Sequence, residues 1–215
     1  MPLTSQNTME PANIAVKEAT IRVCDASVAT STAMRANAHT EIRFAGFGGQ
    51  GVILATQILG KAASIYDGLH ATMTQTYGPE ARGGACSAQL ILSPESILYP
   101  YTTKTDLLVA MSQEAYTRFL PNLKPSGILV VEEDLVRMDA LPETLTVYRV
   151  PATRLAEELG NRVVQNVVML GFLCARIPLV SPDSLCAALL ASVPANLAEL
   201  NQKALQLGLQ FGTAS

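Results

Sequence analysis

The run Glu41-Ile-Arg-Phe-Ala-Gly-Phe-Gly-Gly-Gln-Gly51 constrains this chain more than any other feature. A short apolar stretch (Ile42, Phe44, Ala45) opens into Gly46-x-Gly48-x-x-Gly51, and an apolar, helix-forming stretch from Val52 to Tyr66 follows at once. The order is strand, glycine turn, helix. Such a turn aims backbone N–H groups and the positive end of a helix at one point, where a phosphate can sit. Gly46 permits the tight turn, Gly48 lets the backbone approach an anion, and Gly51 brings the helix close to its strand. Glycine also serves such corners for steric reasons alone, so the motif defines a candidate site and leaves its occupant open.

A dinucleotide site needs an acidic residue about 20 residues beyond the glycines, at the end of the second strand, to bind ribose hydroxyls. The second strand expected here, His70-Ala-Thr-Met-Thr-Gln-Thr-Tyr77, ends in hydroxyls and an amide. Asp67 lies before it, in an Asp67-Gly68 turn, and reads as turn chemistry. The expected ligand is therefore phosphate-bearing but not a dinucleotide of the usual kind. A second glycine cluster, Tyr77-Gly-Pro-Glu-Ala-Arg-Gly-Gly84, follows. Loops at the carboxyl ends of strands line the crevice of an open α/β sheet, which sets this loop beside the first. Arg82 then either forks onto a phosphate or carboxylate, or pairs with Glu80 at the surface.

At 215 residues the chain can bury one good core and carry a tail. Apolar residues make up 49% and charged residues only 15%, against roughly a quarter in an ordinary domain. No apolar run reaches the ~18 residues of a membrane span, so the low charge points to surface hidden against other subunits, or to a compact Ala- and Leu-rich domain. A net charge of −3, with no basic stripe and no Trp, speaks against nucleic acid. The four cysteines (Cys24, Cys86, Cys174, Cys186) and two histidines (His39, His70) have neither zinc nor iron–sulfur spacing. Cys174 and Cys186 read as buried thiols, and a reducing cytoplasm is the expected compartment.

Residues 1–40 are rich in Ser, Thr, Ala and Asn without a sustained period. They read as a disordered extension ahead of a single α/β domain over 41–215, with Met34 as a candidate alternative start. Within the domain, strands are expected at 41–46, 70–76, 85–92, 106–111, 128–131 and 144–150. Helices are expected at 51–66, 113–120 and 154–159, the last capped by Thr153, and over most of the chain from 163 onward. Glu132-Glu133-Asp134 reads as a solvated strand end. The fold class is α/β: an open, mostly parallel, Rossmann-like sheet with flanking helices and a helical C-terminal segment.

Two segments together, Ala45-Gly-Phe-Gly-Gly-Gln-Gly51 and Thr74-Gln-Thr-Tyr-Gly-Pro-Glu-Ala-Arg-Gly-Gly84, resemble the gamma subunit of 2-oxoacid:ferredoxin oxidoreductases over about residues 41–212. The resemblance implies oxidative decarboxylation of a 2-oxoacid, with 2-oxoglutarate ahead of pyruvate, to an acyl-coenzyme A with reduction of ferredoxin. It implies that thiamine diphosphate and iron–sulfur clusters belong to alpha and beta partner chains, with a ferredoxin-like delta chain as a further candidate. It also implies that this chain is inactive alone, helps bind coenzyme A and covers the active-site entrance. Gly46, Gly48, Gly49, Gln50 and Gly51 would cradle phosphate. Arg82, with Gly83 and Gly84, would supply a cationic loop, and Tyr77 and Lys61 are weaker candidates. Gln50 would donate an amide hydrogen bond or cap the helix. Glu80 departs from the pattern, placing a negative charge where single-chain enzymes of this kind carry cations. A free-standing nucleotide-binding module remains the alternative on the first glycine turn alone.

Overall fold

A computed structural model of the chain describes residues 39–77 and 85–214. The strands are β1 (Thr40–Phe47), β2 (His70–Tyr77), β3 (Ala85–Ser93), β4 (Thr105–Ala110), β5 (Leu123–Glu132) and β6 (Thr146–Val150). They form one open sheet in the order β2-β3-β1-β4-β5-β6. β1, β4, β5 and β6 pair in parallel, while β3 runs antiparallel to both β1 and β2. The expected mostly parallel α/β sheet is present, with one difference in topology. β2 does not lie against β1; it turns back into β3, which inserts between them. β2 is still parallel to β1, so the carboxyl ends of both lie on one sheet edge. Gly46 is opposite Cys86, and Cys86 is opposite Tyr77.

The helices are α1 (Val52–Lys61), α2 (Gln113–Phe119), α3 (Ala152–Glu158), α4 (Gln165–Arg176), α5 (Pro182–Leu190) and α6 (Ala198–Ala214). The expected 51–66 helix changes character at Ala62. A π-helical turn runs from Ala62 to Tyr66, closed by Asp67 N–H on the Ala62 carbonyl at 3.0 Å. Asp67 then reaches far beyond its own turn. Its carboxylate accepts from Ser181 N at 2.8 Å and Ser181 Oγ at 3.0 Å, which fastens the start of α5 to the end of α1.

Strand alternation splits the core into two layers. Ile42 and Phe44, with Leu90, Leu107, Val109 and Val130, face α1, α4, α5 and α6. Ala45, Leu108, Ala110, Leu129 and Val131 face α2 and the irregular segment 133–145. In the first layer α4 and α6 meet backbone to backbone. A Cβ on Gly208 would strike the Val168 carbonyl, and one on Gly171 the Leu205 carbonyl.

Glu132 is not the solvated strand end expected from sequence. It is fully buried, accepting from Thr153 N at 3.0 Å and Leu135 N at 2.8 Å. That carboxylate does the capping assigned to Thr153, which instead lies inside α3 and donates its hydroxyl to Gln165 Oε1 at 2.8 Å. Two amide donors at a helix start stabilise the charge of a buried carboxylate. Only Glu133 and Asp134 face outward, and both pair with Arg154.

Candidate anion site at the glycine turn

The chain leaves β1 through a turn closed by Gln50 N–H on the Phe47 carbonyl at 3.1 Å. Gly49 has φ 101° and Gly51 φ 72°, both in the region that favours glycine. The three turn glycines with a definable neighbourhood serve different purposes. A Cβ at Gly46 would strike Gln50 Oε1, and one at Gly51 would strike the amide of Asn166. A Cβ at Gly49 would meet nothing within 4 Å. Gly46 and Gly51 are thus packing positions, whereas Gly48 and Gly49 are exposed and open to an approaching group. Gly51 admits α4 through Asn166, where the sequence suggested closeness between helix and strand.

Gln50 is held by the protein itself. Its Oε1 accepts from Phe47 N at 2.6 Å, and its Nε2 donates to the Met111 carbonyl at 2.7 Å. The buried side chain ties the turn to the end of β4, so its amide does not face outward as a ligand. Met111 N donates in turn to the Ala45 carbonyl at 2.8 Å. Asn166, distant in sequence, donates Nδ2 to the Gly51 carbonyl at 3.2 Å. These contacts fix the turn from three sides, and a pre-set backbone gives up little entropy on binding.

The helix behind the turn is electrostatically bare. The first N–H groups of any helix lack a partner within it. In α2 and α5 a serine hydroxyl accepts one of them (Ser112 from Ala115 N, Ser181 from Ser184 N), and in α3 the Glu132 carboxylate does so. α1 begins after Gly51, has no side-chain cap, and carries no acidic residue in its first turn. Its positive end therefore faces the exposed glycines unneutralised. Phe47, 38% exposed, and Val163, 68% exposed, flank the turn and the start of α4.

Lys61 does not join this group. It ends α1, roughly 14 Å along the axis from Val52, and donates to Ser192 Oγ at 2.9 Å. Tyr77 closes β2 on the correct sheet edge. Arg82, Gly83 and Gly84 lie outside the described residues, as does Glu80; the strands on either side of them, ending at Tyr77 and starting at Ala85, meet that same edge. Cys86 sits opposite Gly46, and burial pushes its thiol up, away from the reactive thiolate form. Among the described residues no three His, Cys, Asp or Glu side chains stand together as a metal-holding group, and no helix is long and apolar enough to cross a membrane. Sequence reasoning missed Asn166, Met111 and Phe47. Asn166 carried no signal at all, because its partner lies 115 residues away.

The pyruvate ferredoxin/flavodoxin oxidoreductase family model matches residues 41–211. The chain belongs to that family. Among its relatives, the 2-oxoglutarate synthase subunit KorC of Methanocaldococcus jannaschii is 46% identical over 178 residues, spanning 82% of this chain and 95% of the relative. The subunit of the same name from Methanothermobacter marburgensis is 47% identical over 177 residues, spanning 80% and 95%. A keto/oxoacid ferredoxin oxidoreductase gamma subunit from Geobacter sulfurreducens superimposes with a TM-score of 0.72 at 40% identity, over 82% of this chain and 99% of that one. A 2-oxoglutarate:ferredoxin oxidoreductase from Magnetococcus marinus, solved with 2-oxoglutarate, coenzyme A and succinyl-CoA, gives 0.75 at 25% identity, over 82% of this chain and 31% of that one. The expectation of a gamma-type subunit of a 2-oxoacid:ferredoxin oxidoreductase, an enzyme subunit on an α/β fold, is borne out by these relatives.

Proposed function

We propose that this chain is the gamma subunit of a cytoplasmic 2-oxoglutarate:ferredoxin oxidoreductase, that its glycine turn holds a phosphate of coenzyme A, and that the domain closes over an active site built by partner chains. One observation carries the coenzyme A assignment. The uncapped, acid-free start of α1 stands behind two exposed glycines whose backbone is fixed by Gln50 and Asn166. A phosphate at that point would meet unpaired N–H donors and the helix's positive end. β2 reaches the same sheet edge one strand further out, beyond β3, and its end offers hydroxyls in place of the carboxylate that a ribose diol would need; β4, the parallel neighbour of β1, ends at Ala110 and Met111 and offers none either, which suits coenzyme A better than NAD. The solved relative from Magnetococcus marinus holds coenzyme A and succinyl-CoA.

In this account Gly48, Gly49 and Gly51 present the backbone, and Gln50 positions it from behind. Arg82 adds charge from the 78–84 loop, with Gly83, Gly84 and Tyr77 shaping its approach. Gly46 keeps the turn tight. Thiamine diphosphate, the iron–sulfur clusters and the contact with ferredoxin belong to the alpha, beta and delta-type chains. The choice of 2-oxoglutarate follows the KorC relatives.

The test uses the assembled complex carrying Gly49→Val or Arg82→Ala. Valine cannot easily adopt φ 101° and would cover the open backbone. Each change should raise KM for coenzyme A by about 10- to 100-fold, the range for losing one or two charge-assisted hydrogen bonds, while KM for the 2-oxoacid stays within about twofold. An unchanged KM for coenzyme A in both complexes would show that the turn is empty during turnover.

A further inference from the structure

The sheet face away from α1, α4, α5 and α6 carries a buried cation with no acid paired to it among the described residues. Arg43 is only 8% exposed. It leaves β1 on the same side as Ala45, beneath α2, with its guanidinium carbon 4.5 Å from the centre of the Phe119 ring. With the Gln89 amide turned so that its carbonyl faces the guanidinium, that oxygen accepts from Arg43 Nη1 at 3.1 Å and from Nη2, and also from Thr102 Oγ1 at 3.3 Å. Arg43 Nε has no partner among the described residues. Arg118 lies 5.3 Å from the same Phe119 ring, so two guanidinium groups share one aromatic side chain. Burial and the Arg118 charge together pull the Arg43 guanidinium below its ordinary value.

Neither arginine makes an ion pair among the described residues. The nearest acid along β1, Glu41, is already engaged by Lys124 at 3.7 Å and His39 at 3.5 Å, and Asp106 by Lys124 at 2.8 Å. Removing an arginine from water without a carboxylate is unfavourable, and a well-placed anion offsets that cost. Next to this cation the chain displays apolar surface. Thr102, which bonds Gln89, follows directly on a projection where Leu98 is 95%, Tyr99 66% and Tyr101 60% exposed. The two tyrosine rings pack edge to face at 5.6 Å. Exposed Lys104 follows and adds a further positive charge. Aromatic residues and arginine are the side chains that anchor protein interfaces, and a leucine held almost wholly in water is explained most simply by a cover.

We propose that this face, made of Arg43, Arg118, Leu98, Tyr99 and Tyr101, is where a partner subunit of the oxidoreductase docks, placing an aspartate or glutamate carboxylate across the two guanidinium groups. The occupant's chemistry follows from the charge. Two arginines on one ring would repel a basic or second identical surface, and a purely apolar partner would leave both positive charges without a counter-charge. A carboxylate gains bidentate, charge-assisted bonds there, while the tyrosines and Leu98 contribute buried area. The inference rests on the chain working as a subunit, but is independent of what occupies the glycine turn, which opens on a different sheet edge from the strand end where the projection begins.

The experiment is reconstitution of the complex from this full-length chain and its partner chains. Arg118→Glu and the double change Tyr99→Ala/Tyr101→Ala alter exposed side chains only, and Tm of the free subunit serves as the folding check. Each should weaken assembly at least tenfold in a titration read by size-exclusion chromatography, and Arg43→Gln should do so as well. Lys203→Glu, on the exposed side of α6, should not. Hydrogen exchange of peptides covering 94–104 and 113–122 should slow on assembly. The inference is overturned if these peptides exchange equally fast in the free chain and in the complex, or if the variants assemble with wild-type affinity. It is also overturned if the peptides are protected in the free chain and released by deleting residues 2–38, whose Glu10, Glu18 and Asp25 are the competing source of carboxylates. Failure of any complex to form would instead remove the proposed subunit function itself.

Discussion

The two faces of the sheet are covered in different ways. On one, α1, α4, α5 and α6 bury Ile42, Phe44, Leu90 and Leu107 almost completely, and Phe172 packs between Tyr148 and Phe211 with ring centres 5.5 and 6.1 Å away. On the other, one seven-residue helix and an irregular segment cover Ala45, Leu108 and Val131, while among the described residues Arg43 pairs with no acid and the buried Tyr116 hydroxyl has no partner. The first face is packed for stability, to the point of backbone contact between α4 and α6. The second leaves polar groups without partners among the described residues and aromatic surface exposed, which is the surface the docking proposal uses.

That contrast is most easily broken on the helical face. Gly208→Val drives a branched side chain into the Val168 backbone, which cannot move aside as a flexible side chain would. It should cost at least about 3 kcal/mol, read as a fall in urea midpoint or outright loss of the folded subunit. A wild-type midpoint would mean that α4 and α6 are not in backbone contact in solution.

Cys174 gives a smaller, pH-dependent effect on the same face. Burial first, then the Asp67 and Asp183 charges, push its thiol up to about 12. The native state holds the proton more tightly than the unfolded chain, so the stabilisation is complete below the ordinary thiol value of 9.0 and is lost as pH rises from there toward 12. Urea midpoints should therefore fall between pH 9 and 10, by at most about 1.4 kcal/mol from this group, and Cys174→Ala should flatten that slope. An unaltered slope in the variant would place the thiol in contact with water.

The smallest effect belongs to the second face. Tyr116→Phe removes a hydroxyl that has no partner in the free chain, so it should change stability by no more than about 0.5 kcal/mol, or raise it slightly. A loss above about 1.5 kcal/mol would mean that the hydroxyl is bonded and that this face is more complete than it looks.

Much of this was legible beforehand, and for a definite reason. Strand alternation in 85–92, the continuous apolar run of β4, the Ser181-Pro182 start of α5 and the glycine turn are all set by neighbours within a few residues. What failed was long-range. Lys61 was a plausible phosphate ligand by charge, but a helix carries its two ends in opposite directions. Glu132 looked solvated as one of three adjacent acids, yet it alone points inward, onto the start of α3. Gln50 looked like a donor to a ligand, but Phe47 and Met111 already use both ends of its amide.

By itself, then, the sequence determined the elements and the glycine turn between β1 and α1, because glycine conformation, capping chemistry and hydrophobic period act locally. Only the tertiary structure decided which glycines stay open, that β3 enters between β1 and β2, and that Arg43 is buried without an acid among the described residues. Those outcomes depend on which distant surfaces meet, and the pairing of Gly51 with Asn166 or of β1 with β3 is a free-energy minimum of the whole chain that no single segment contains.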